Sequence, residues 1–244
     1  MIELLVILLS VFILLALTYL KRWAPRSFRP ITAFSRLQRA IGLSIEEGTR
    51  LHVSLGRGNL LTPRGGASLA GLSMLRQLTE RTSVGDLPPV ATTGDPALVL
   101  LTQDTLKAGY DAAAAGDLYQ ATTGRLTGLT PFSYAAGAMS VVSDENVAAN
   151  LLLGGFGSEV ALITDASQRT GTPVIGATDD LTAQSILFAS SQEPLIGEEL
   201  FAAGAYLSGD SAQTASLTLQ DILRWLLIAF MLGGAALKLF GVIQ

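Results

Sequence analysis

Apolar residues gather in two long runs at the extremities of the chain and in short runs between them. Residues 2–20 hold one charge, Glu3, among leucine, isoleucine and valine. At 1.5 Å per residue such a helix is roughly 29 Å long, about one hydrocarbon core. Residues 1–21 are therefore predicted to form an N-terminal transmembrane helix. A cleaved signal peptide has a positive start, a shorter core and a small-residue cleavage site. Here the start is acidic and Tyr19-Leu20-Lys21-Arg22-Trp23 follows, which favours an uncleaved anchor. The second run, 225–244, is interrupted only by Lys238. Thr218 and Asp221 have the spacing of a capping box, so a C-terminal transmembrane helix is predicted over 218–244. Trp225 suits an interfacial anchor and Lys238 a side chain reaching the far headgroups. Gly233 and Gly234, followed by Ala235 and Ala236, would let another helix approach closely.

Between these runs, helical and strand-like patterns alternate. Residues 30–41 place Ile31, Phe34, Leu37 and Ile41 on one helical stripe. Residues 50–55 alternate as a strand and run into Gly56-Arg57-Gly58-Asn59. Residues 68–79 read as a helix and 89–93 as a strand. Asp95 as N-cap and Pro96 in the first turn open a helix to about residue 115. Residues 134–142 are predicted as a strand and 144–153 as a helix ended by Gly154-Gly155. Residues 159–164 fit either state. Residues 174–175 form a short strand leading into Gly176-Ala177-Thr178-Asp179-Asp180, and 195–207 a helix closed by Gly209. Residues 81–89 and 122–131 read as connections. The pattern predicts an α/β soluble domain with a parallel or mixed sheet over 40–217, flanked by the two transmembrane helices.

Charge sets the orientation. Lys21, Arg22, Arg26, Arg29, Arg36 and Arg39 follow the first span with no acid among them. This basic juxtamembrane arm, 22–39, is expected to stay in the cytoplasm and to lie on anionic lipid. The expected location is the cell's inner membrane, with two spans, a cytoplasmic soluble domain and both termini outside. From residue 108 to 222 there are 13 acids and two bases, Arg125 and Arg169. Such an acidic face repels phosphate backbones, so nucleic acid is not an expected partner. With 49% hydrophobic and 15% charged residues the chain is too apolar to be disordered. Too few residues lie in long apolar runs for a polytopic transporter. The absence of cysteine excludes disulfide scaffolds, thiolate metal sites and cysteine nucleophiles, and the lone histidine, His52, excludes histidine-rich metal sites.

Candidate chemistry is sparse. The glycine turn Gly56, Arg57, Gly58 and Asn59 follows a strand and could present backbone amides to a ligand phosphate. The full dinucleotide fingerprint is missing, because Leu60-Leu61-Thr62-Pro63 intervenes, and there is no P-loop lysine. His52 falls on the same strand face as Arg50 and Ser54. Without a G-x-S-x-G elbow it reads as a satisfied structural histidine. Asp179 and Asp180, with Glu193, Glu198 and Glu199 nearby, could hold a cation but are better placed to cap helices. No catalytic set is recognisable, and neither a cofactor nor a metal is expected.

The strings EEGTRLHVSLG (46–56), SDENVAANLLLGGFGSE (143–159), VIGATDD (174–180) and EPLIGEELFAAGAYL (193–207), in this order, resemble an uncharacterised family of bacterial and archaeal membrane proteins, a domain of unknown function. The resemblance covers roughly residues 40–235. It implies a soluble domain tied to the membrane and supplies no reaction, cofactor or catalytic residue. The residues therefore predict a membrane-anchored, non-catalytic assembly protein that self-associates or joins a larger membrane complex. The alternative is a membrane-tethered enzyme or a nucleotide- or phosphate-binding domain.

Overall fold

The computed structural model describes residues 2–21, 29–60, 65–208 and 211–239. Its main elements are, in order, α1 (Ile2–Lys21), α2 (Thr32–Glu46), β1 (Arg50–Gly56), α3 (Gly65–Thr82), β2 (Val90–Thr93), α4 (Pro96–Ala112), β3 (Gly124–Leu126), α5 (Pro131–Asp144), β4 (Val147–Gly155), α6 (Val160–Thr170), β5 (Val174–Thr178), α7 (Leu181–Ser190), β6 (Glu193–Ile196), α8 (Glu199–Ser208) and α9 (Ser211–Leu239). The chain divides into two compact units, one holding α1 and α9 and the other spanning Pro30–Leu207. Residues 22–28 of the predicted basic arm, and Gly209, lie outside the described residues.

In the larger unit all six strands are parallel, in the order β3-β2-β1-β4-β5-β6. Each strand is followed by a helix that returns the chain to the opposite edge, the only short route between parallel neighbours. The winding starts at β1, runs outward through β2 and β3, then jumps back to β4 beside β1 and continues outward. The junction of β1 and β4 is thus the point where the winding reverses.

Alternation along β1 assigns the two faces. Leu51, Val53 and Leu55 are buried among side chains of α2, α3 and α8, including Leu37, Met74, Leu75, Leu78 and Leu200. Arg50, His52 and Ser54 point the other way, toward Glu145, Asn150 and Tyr134. On that face Tyr134, Ala135, Ala138, Val160 and Ile163 of α5 and α6 pack with Leu152 and Val174. Gly71 lets α3 lie directly on β4, since a Cβ there would stand 2.3 Å from the Leu153 carbonyl oxygen.

The expected helix opening at Asp95 is present, its side chain accepting from the Leu98 N–H; Asp180, read as a cap, accepts from the N–H groups of Thr182 and Ala183 at the start of α7. Three expectations are corrected. Residues 134–142 are helix, not strand, because Tyr134, Ala135, Ala138, Val141 and Val142 bury one helical stripe and Thr130 and Ser133 form a capping box before it. Residues 147–155 are strand, not helix. β4 is central and buried on both faces, so its apolar residues run without alternation and imitate a buried helix. Residues 193–196 are an edge strand that turns through Gly197, at φ +58°, before α8 begins. Helix α7 and the three-residue β3 are further elements that the sequence pattern did not predict.

The places where the chain enters and leaves this unit share one edge. Thr32 donates to Glu193 at 2.7 Å and Arg36 pairs with it at 2.8 Å; Glu193 opens β6. At the other end, Arg81, near the close of α3, donates to the Leu207 carbonyl oxygen. Both places lie at the amino edge of the sheet.

In the smaller unit α1 and α9 lie against one another. Among the described residues, α9 alone is long and apolar enough to cross a membrane; the described apolar stretch of α1, Ile7–Leu20, is shorter. Helix α9 starts at Ser211, seven residues before the expected start at 218. Thr218 is no cap: its hydroxyl donates to the Thr214 carbonyl oxygen one turn earlier. Asp221 and Arg224 pair across one helix face at 4.0 Å. Trp225 is exposed, and Cβ atoms built on Gly233 and Gly234 would meet nothing within 4 Å.

Candidate functional site at the carboxyl edge

A cleft of about 490 Å³ opens at the carboxyl edge, between the ends of β1 and β4. Its floor consists of two glycine turns, 57–59 after β1 and 155–158 after β4. The strands come unusually close there. Gly56 sits at φ +72°, the Arg57 N–H donates to the Gly155 carbonyl oxygen at 2.8 Å, and a Cβ on Gly155 would stand 2.9 Å from the Gly58 Cα. Glycine is used on both strands because main chain meets main chain.

The walls come from the helix starts that follow β3, β4 and β5. Pro131 and Phe132 belong to the first turn of α5, Glu159 stands at the start of α6, and Asp179 and Asp180 precede α7. Arg57 lies across Gly94 at the end of β2, and its Nη2 donates to the Leu129 carbonyl oxygen at 2.9 Å. Glu159 is buried and its Oε1 accepts from the Gly157 N–H at 3.0 Å.

A chain of polar groups runs beneath this floor. The Tyr134 hydroxyl contacts Ser54 Oγ and accepts from the Gly56 N–H at 3.1 Å, which ties α5 to the end of β1. Burial pushes the Tyr134 hydroxyl up to about 12, against the opposing pull of those hydrogen bonds. One layer lower, His52 Nδ1 lies 2.8 Å from Asn150 Oδ1 and Nε2 lies 2.9 Å from Thr92 Oγ1. Asn150 spends its amide hydrogen on Ser167 Oγ at 2.8 Å, so its oxygen faces the histidine and Nδ1 carries the proton. The ring is neutral: burial lowers its pKa to about 4, opposed by the Asn150 bond and the Glu145 charge. Ser54 bonds Tyr134 and not His52, so the two do not form a nucleophile and base. Toward the amino end of β1, where the chain is partly exposed again, Glu145 bridges Arg50, at 2.6 Å, and Arg125.

The geometry therefore brings together two candidates that lie far apart in sequence. Arg57, Gly58 and Asn59 share one cleft with Asp179 and Asp180, and Gly56 forms its base. Among the described residues no three His, Asp or Glu side chains are placed to hold a metal ion. Trp225, Gly233, Gly234 and Lys238 belong to α9, in the other unit.

The chain belongs to the family described as Domain of unknown function (DUF6754), whose model matches residues 1–244. No curated protein and no solved structure matches it significantly. The family carries no assigned reaction, so the chemistry of the cleft has to be read from its own residues.

Phe132, Glu159 and the turn 155–158 were missed by the sequence reading. The signal for the turn was present. Gly154-Gly155-Phe156-Gly157 follows an apolar run just as Gly56-Arg57-Gly58 does, but it was assigned to the end of a helix.

Proposed function

We propose that this protein is a membrane-tethered α/β domain that binds a small ligand at the carboxyl edge of its sheet. The cleft between β1 and β4 carries the reading. In open parallel sheets the strand ends diverge where the winding reverses, and the crevice left there is where ligands commonly sit. Two glycine turns flooring that crevice support it, because they let a ligand approach backbone N–H groups closely. The reading commits to binding and not to a reaction.

The test is thermal shift of the full-length chain in mild detergent against nucleosides, nucleotides, sugar phosphates, free sugars, amino acids and divalent metals, with amide exchange followed at 56–59 and 155–158. The expected result is a ligand that raises the melting temperature and slows exchange at both loops. Ser158→Trp, on an exposed lining position, should abolish that response and move the ligand-free melting temperature by no more than about 2 °C. A panel without response at either loop would remove the reading.

In the same proposal α1 and α9 both cross the inner membrane, the Pro30–Leu207 unit is cytoplasmic, and both termini are outside. The length and apolarity of α9, the 20-residue apolar α1 and the cations that follow it support this arrangement. Self-association through α9 is a second reading, favoured by the open space at Gly233 and Gly234. One experiment addresses both: external protease on intact cells, then gentle extraction and native mass measurement. An uncut chain in a species heavier than one copy is expected. Cleavage within Pro30–Leu207 overturns the orientation, and a monomer at all concentrations overturns the association.

A further inference from the structure

The proposed binding site also has a chemistry, and the inference drawn from it rests on that reading. Parallel α/β sheets hold phosphates at helix N-termini, where free N–H groups and partial positive charge converge. Three helices begin at this cleft; the chain caps two of the starts with its own side chains and sets a carboxylate before the third. At α5 the Thr130 hydroxyl accepts from the Ser133 N–H, and Pro131 contributes no N–H. At α7 the Asp180 carboxylate takes the N–H groups of Thr182 and Ala183. At α6 the Glu159 carboxylate occupies the approach, turned back onto Gly157. The described lining residues carry three carboxylates against one guanidinium, Arg57, whose Nη2 donates to the Leu129 carbonyl oxygen while its buried Nε meets no acceptor among the described residues. A phosphate would meet a net excess of like charge there.

Two further observations indicate what fits instead. Glu159 is only 5% exposed and lines the cleft, yet no donor among the described residues meets its Oε2. A carboxylate oxygen that lines a cavity and meets no protein donor is an acceptor for a ligand O–H or N–H. At the rim, Phe132 is 73% exposed beside Pro131 and offers a flat apolar platform. We propose that the cleft takes an unphosphorylated nucleoside-type ligand. A planar heterocycle stacks on Phe132, sugar hydroxyl or amino hydrogens are donated to Glu159, and the carboxylates discriminate against the phosphorylated form.

Calorimetric titration of the full-length chain in detergent, without metal, with adenosine, guanosine, cytidine, uridine and their 5′-triphosphates tests this. At least one nucleoside should bind at least about tenfold more tightly than its triphosphate. Phe132→Ala should weaken it by about tenfold, and Glu159→Gln should weaken the nucleoside while narrowing the gap to the triphosphate. Triphosphate binding as tight as nucleoside binding, with exchange slowed at 56–59 and 155–158, overturns the inference and leaves the binding site standing. So does protection of those loops by another compound class when every nucleoside is silent. Equal nucleoside affinity in wild type and both variants overturns it as well. Silence across the whole ligand panel overturns the inference and the binding reading together.

Discussion

Replacing Gly56 with alanine is expected to destabilise the Pro30–Leu207 unit by roughly 4 kcal/mol or more, at the extreme of single-substitution effects. Two penalties combine. At φ +72° a Cβ is strained by about 1–2 kcal/mol. The new atom would also stand 2.1 Å from the Gly155 carbonyl oxygen and 2.7 Å from its carbon, both of them main chain with no rotamer to move away. β1 and β4 must then part at the carboxyl end of their pairing. The bonds at risk are Arg57 N–H to Gly155 O at 2.8 Å, Gly94 N–H to Gly56 O at 2.9 Å and Gly56 N–H to the Tyr134 hydroxyl at 3.1 Å. Each is worth about 1 kcal/mol. Gly171 is an internal control, because it has the same φ of +72° but nothing within 4 Å of a built Cβ. Urea unfolding of both alanine variants in detergent, followed by circular dichroism, separates the two causes. Gly171→Ala should cost only the strain. Equal losses in the two variants would show that close approach of β1 and β4 contributes nothing.

That contrast also indicates where the sequence was legible and where it was not. A helix that opens with a capping residue and proline, as at Asp95-Pro96, could have its start placed to the residue because cap chemistry is local, although its end at Ala112 falls short of the expected 115. The α5–β4 pair could not. Whether a small-residue run such as Ala135-Ala136-Gly137-Ala138 is helix or strand depends on which stripe is buried, and tertiary packing decides that. A central strand buried on both faces shows no alternation, so β4 carried no mark separating it from a helix. The site was legible only in fragments. Gly56-Arg57-Gly58 and Asp179-Asp180 each stood out as a turn or a cap. That they share a cleft follows from β4 inserting between β1 and β5, and strand order leaves no trace in a single sequence. Glu159 was invisible as a site residue because its burial, not its identity, is what makes it unusual.

Strand order also explains the largest pH effect expected of the protein. His52 lies in β1 between β2 and β4, walled in by Thr92 and Asn150, and is fully buried. Its pKa is lowered to about 4 from an ordinary 6.5, chiefly by desolvation, with a smaller push from Arg125 and opposition from Asn150 and Glu145. In the unfolded chain the ring takes up a proton first. Between pH 6.5 and 4 the unfolded state therefore binds more protons than the folded one, and stability falls as pH is lowered through that window. The difference corresponds to about 3 kcal/mol, fully present at pH 7 and lost by about pH 4. Carboxylates titrate in the same range, so the measurement is a difference between two proteins. His52→Gln keeps a donor for Asn150 and an acceptor for Thr92 but cannot be protonated. In urea unfolding at pH 7, 6, 5 and 4 the variant should start less stable and lose about 3 kcal/mol less than wild type across the series. Parallel pH profiles for the two proteins would mean that the histidine titrates in the fold as it does in the unfolded chain, and the buried neutral ring assigned between Thr92 and Asn150 would have to be abandoned.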